Sequence, residues 1–106
     1  MSDQETQEIV RLQQQLQARL RELQFQDGTV AQNVAHHLAE IAVLGRNFAD
    51  QTLPLFLTMS AEHKEAVGAL AVSLKCDLDE IRDAISDVLN DMVELMQFLN
   101  RHESGR

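Results

Sequence analysis

The chain has 106 residues, 17 acids against nine Lys and Arg, a net charge of −8, and one cysteine. That length fits one domain, 1–106, with a modest core. The charge argues against a direct binder of nucleic acid or of an anionic membrane, since either needs a basic patch to neutralise phosphates. The single Cys76 excludes an internal disulfide framework. The polar, acidic start MSDQETQEI is not a signal peptide, and no apolar run approaches the roughly 20 residues of a membrane span. The expected location is the cytoplasm.

One Pro, four Gly, no Trp, no Tyr and no sustained Val/Ile/Thr alternation predict an all-α fold. The first helix is expected over 3–26. Ser2 or Asp3 caps it, with Asp3, Glu5 and Glu8 near its positive end. Ile9, Leu12, Leu16, Leu20 and Leu23 form a narrow stripe close to a coiled-coil seam, suited to one or two partner helices. The intervening Gln13, Gln14, Gln15 and Gln17 read as solvated surface.

Asp27-Gly28-Thr29 predicts a tight connection, with Gly28 at positive φ and Asp27 or Thr29 capping the next helix. So short a link makes an antiparallel hairpin. The second helix is expected over 30–50, with Val30, Val34, Leu38, Ile41, Leu44 and Phe48 on its stripe and Gly45 allowing a close helix crossing. Residues 53–59 carry Pro54 near the start of a helical turn. Leu53, Leu55, Phe56 and Leu57 there read either as a plug at one end of the bundle or as an exposed docking site.

Ser60 is placed to cap a third helix over 61–75, with Ala66, Val67, Leu70, Ala71, Leu74 and His63 on its buried side. Asp77 and Glu80 have capping-box spacing and open a fourth helix over 78–100. Leu78, Ile81, Ile85, Val88, Leu89, Met92, Leu95, Met96 and Leu99 recur at three and four, a stripe roughly 120° wide. Burying four stripes together predicts an antiparallel four-helix bundle.

Ala71, Leu74, Cys76, Ile81 and Ala84 have the spacing at which two helices pack across a tight turn, so this stretch resembles a helix-turn-helix unit. The resemblance implies a transcriptional regulator. Lys75 stands where the turn usually has glycine, and Asp77, Asp79, Glu80 and Asp83 would be repelled by DNA phosphates. A DNA mimic is the acidic version of the same idea. Between residues 77 and 94 there are seven acids and one base, with Asp79, Asp83, Asp87 and Asp91 at strict i, i+4 spacing. Like charges at that spacing repel by a few tenths of a kcal/mol per pair. This face, with Glu94, is expected either to solubilise the protein or to dock a basic one.

His36 and Glu40 are one turn apart and His37 lies at the edge of the stripe, but no His-x3-His pair or HExxH predicts zinc. The histidines read as edge-of-core residues, with a metal-binding bundle as an alternative. No phosphate loop, nucleophile elbow or Cys–base pairing points to catalysis or a cofactor. The functional expectation is a non-catalytic interaction or regulatory module, working as a homodimer through its acidic face or the 53–59 segment.

Overall fold

The computed structural model describes residues 3–25 and 27–104, with side chains as far as 101, and among these all regular structure is helical. Helix α1 spans Asp3–Glu22, α2 Gly28–Asn47, α3 Leu53–Thr58 and α4 Lys64–Ser104, with a π-helical turn at Phe48–Thr52. Asn47, Phe48, Thr52 and Leu53 all hold right-handed helical angles, so α2, the π turn and α3 make one continuous rod. The result is three rods, and the expected four-helix bundle is not formed. No helix among the described residues is long and apolar enough to cross a membrane.

Two expected breaks are absent for physical reasons. Pro54 does not end its helix because a wider turn precedes it, closed by Leu53 N–H donating to Phe48 C=O. That turn gives the proline ring room that α geometry denies it. Asp77 does not start a new helix because nothing stops the old one: no Gly or Pro lies between Gly68 and Gly105. α4 therefore runs unbroken for 41 residues. At 1.5 Å per residue this is about 62 Å, close to the molecule's 64 Å long dimension.

The α1–α2 hairpin closes differently from expectation. Gln24, at φ 64°, takes the left-handed position, and no glycine has positive φ among the described residues. Phe25 N–H donates to Leu20 C=O (3.0 Å) and Gln24 N–H to Arg21 C=O (2.9 Å). This is a Schellman motif, and its apolar partners Leu20 and Phe25 are both buried. Gly28 is the first residue of α2, capped by Asp27 Oδ1, which accepts from Val30 N–H at 3.2 Å. The cap expected of Ser2 lies outside the described residues.

α2 lies between α1 and α4 and packs on both, whereas α1 and α4 make no close backbone approach to one another. Leu20, Phe25, Val34, Val88 and Leu95 form the main core, with the Phe25 and Phe98 rings edge-to-face at 5.0 Å. Ile9, Ala39 and Val43 form a second cluster, flanked by Leu12 and Leu16, where α1 meets α2. Ala35 and Ala39 are wholly buried. They allow the close approach assigned above to Gly45, around which a Cβ would meet nothing within 4 Å. Asn47 Nδ2 donates to Glu5 Oε2 (2.6 Å) and Arg46 pairs with Glu8, tying the open end of the hairpin.

Candidate interaction surface

From Gly45 to Asp83 not one residue is buried. This stretch contains the π turn, α3 and the first half of α4. The buried face expected at 61–75 is not found: Ala66, Ala71 and His63 are exposed, and Val67, Leu70 and Leu74 half-buried. Nor do residues 53–59 plug a bundle. Leu53 and Phe56 are half-buried, while Leu55 and Leu57 are 52% and 73% exposed. α3 and the start of α4 thus form a two-rod overhang with contacts to each other and to the π turn but no core of their own.

The stripe on α4 is only partly covered. α2 takes Ala84, Val88 and Leu95 and half-covers Ile81, Met92 and Phe98. Leu78, Ile85, Leu89, Val93, Met96 and Leu99 remain exposed. At about 100° per residue, these six lie within roughly 60° of the Leu78 direction. Val67, Ala71 and Leu74 continue the same sector toward the helix start. No carboxylate of residues 64–101 falls inside it, and its charged members are Lys64, Lys75 and Arg82.

The acids occupy the rest of the circumference. Asp83, Asp87 and Glu94 are exposed, Asp79 and Asp91 half-buried. Asp79 Oδ2 accepts from Lys75 Nζ at 2.8 Å, and Arg82 Nη1 lies 3.4 Å from its other oxygen. The hydrogen bond from Lys75 holds Asp79 below the ordinary carboxylate range, and the same bond raises Lys75 above the ordinary lysine value. Asp83 and Asp87, with Glu80, border a groove whose other wall is His36, His37 and Glu40 of α2.

The helix-turn-helix resemblance is not carried by the fold. Residues 71–84 lie on one uninterrupted helix, and Cys76 is an exposed thiol in mid-helix instead of a junction residue. The sequence reading missed the His36–His37–Glu40 convergence. It looked for histidines one turn apart, whereas here adjacent histidines both reach a glutamate on the next turn. The signal was the HHxxE spacing on a helix with one apolar side. Comparison with protein-family models, with curated proteins and with solved structures finds no match.

Proposed function

We propose that the protein is a homodimeric interaction module, acting by binding and without catalysis, in which a second copy covers the open sector of α4 and the α3–α4 overhang. The observation that carries this is the uninterrupted absence of burial from Gly45 to Asp83, a stretch holding Leu53, Leu55, Phe56, Leu57, Leu70, Leu74 and Leu78. Helical stability in proteins comes mostly from packing an apolar face, and two helices without a core do not supply it.

The dimensions favour the same reading. The Cα radius of gyration is 17.7 Å, against about 13 Å for a compact chain of this length. The accessible surface is 7477 Å², whereas a compact monomer of this mass exposes about 6000 Å². The excess, on the order of 1500 Å² per chain, is what the larger, obligate homodimer interfaces bury.

Charge allows self-association despite the acidity of the chain. The open sector has no carboxylate, so two copies can meet there without opposing acids. An antiparallel pairing of the two α4 helices also keeps Lys64 and Lys75 of one copy away from those of the other. Asp83, Asp87 and Glu94 point away from this contact and would stay open to a basic protein segment, the partner class proposed for this face. Light scattering on the purified chain tests the dimer. The expected mass is twice that of one chain for the wild type and that of one chain for Leu78→Asp/Leu89→Asp. A wild type monomeric at about 100 μM would sink the proposal.

A further inference from the structure

We infer that His36, His37 and Glu40 form a binding site for a divalent transition metal of the zinc type. The inference is independent of the dimer, because all three residues lie on α2 and their groove is walled by α2 and α4 of one chain. The three ligand atoms lie within 4.8 Å of one another. His36 Nε2 is 3.3 Å and His37 Nδ1 2.9 Å from the same Glu40 oxygen, Oε1. In a tetrahedral site with bonds of 2.0–2.2 Å, neighbouring donors stand about 3.4 Å apart. The His36–Glu40 edge is therefore already near its final length, and the His37–Glu40 edge, now at hydrogen-bond distance, has to open by about 0.5 Å.

His36 has an outer hydrogen-bond partner that suits coordination. Its Nδ1 is 3.0 Å from Gln13 Oε1 on α1, a contact in which Nδ1 donates in the tautomer that leaves Nε2 free. In that tautomer Nε2, on the Glu40 side of the ring, is the nitrogen able to bind a metal. A ligating histidine held by an outer hydrogen bond through its other nitrogen is the usual arrangement around protein metals, and Gln13 fills that outer role.

The surroundings suit a cation. The groove has a volume of about 350 Å³ and is bordered on the α4 side by Glu80, Asp83, Ala84 and Asp87. Ala84 keeps that wall low, and the carboxylates along it give the groove a negative border. Two imidazoles and carboxylates select zinc, nickel or cobalt over calcium or magnesium, which take all-oxygen shells.

The test is calorimetric titration of the metal-stripped full chain with zinc chloride. One ion per chain is expected. His36→Ala and Glu40→Gln are each expected to weaken binding at least tenfold. Gln13→Ala, which removes only the outer hydrogen bond, is expected to weaken it about tenfold. His63→Ala, on an exposed residue remote from the groove, should leave it unchanged. Circular dichroism of each variant shows whether the fold is kept, and Glu40→Gln, nearly isosteric, remains informative if His36→Ala unfolds. Absence of saturable heat with both zinc and nickel overturns the site. So does stoichiometric binding that survives His36→Ala and Glu40→Gln, which would place the ion among surface acids.

Discussion

Lys75 and Asp79 are joined by a 2.8 Å hydrogen bond across one turn of α4, and the three residues between them include Asp77, the capping residue of the predicted break. On a continuous helix, residues at i and i+4 are neighbours on one face, which is how the two meet here. Proline distinguishes a continuous helix from a broken one. In a helix beginning at 78, position 79 lies in the first turn, where proline is tolerated. In the interior of α4, proline removes a backbone hydrogen bond and clashes one turn back. Asp79→Pro is therefore expected to cost about 3 kcal/mol in urea denaturation. A loss under about 1 kcal/mol would mean a helix start at this point.

The same pair makes a prediction about pH. The Lys75 hydrogen bond holds the folded-state pKa of Asp79 below the ordinary carboxylate range, so its contribution is present above that range and fades as pH falls through the lowered value. Lys75 is raised from 10.5, so its contribution is present below that value and fades as pH rises through the higher one. Both windows lie outside the neutral range, and the Lys75 side chain is exposed. Lys75→Gln should leave the thermal midpoint at pH 7 unchanged within error. A clear drop at pH 7 would show that the pair matters more than its exposure implies.

Gln24 occupies the left-handed position that ends α1, at φ 64°. A side chain in that region crowds its own carbonyl, at a cost of roughly 1 kcal/mol that glycine avoids. Gln24 is exposed, and the Schellman hydrogen bonds come from backbone alone. Gln24→Gly is expected to raise stability by about 1 kcal/mol, the increment that left-handed strain predicts. A destabilised variant would mean that the Gln24 side chain makes a compensating contact.

These three positions also show what the sequence could and could not say. Helix-forming composition and apolar spacing were enough for an all-α chain, the α1–α2 hairpin, and Val34, Leu38, Val88 and Leu95 in the core. The breaks failed because start signals were read without stop signals. Asp77 with Glu80 is a good cap, but Leu74, Lys75 and Cys76 give the preceding helix no reason to end. Gly28 drew the positive φ in the reading, while the chain turned at Gln24, where Leu20 and Phe25 could be buried together. The α4 stripe was legible as a surface that must be covered; its spacing could not say that α2 covers only the Ala84–Val88–Leu95 side. His36, His37 and Glu40 come together through helix geometry alone, so that cluster was available to a reading that allowed adjacent ligands.

The core makes opposite demands at two positions on α2. Val34 is 1% exposed and central to the main cluster. Val34→Ala removes two methylene equivalents and leaves a cavity, an expected loss of about 2 kcal/mol. Ala39 is 0% exposed, between α1 and its neighbours in the second cluster. Ala39→Leu adds volume where the rods touch and should cost about 1–3 kcal/mol by overpacking. If Ala39→Leu stabilised the protein, the α1–α2 contact would be looser than its burial indicates.

Chain concentration tests whether folding and pairing are one event. If a second copy covers the 45–83 overhang and the open sector of α4, unfolding separates two chains and its midpoint depends on concentration. For a two-state dimer, tenfold more protein adds about 1.4 kcal/mol per dimer. Spread over the unfolding entropy of two such chains, this raises the thermal midpoint by about 3 °C. Melts at roughly 5 and 50 μM should differ by that amount in the wild type. For Leu78→Asp/Leu89→Asp the two melts should coincide, at a lower temperature, because each chain then keeps only the α1–α2–α4 core around Val34 and Val88. Coincident wild-type melts would show that each chain folds alone, and the exposed leucines of α3 and α4 would then need a different occupant.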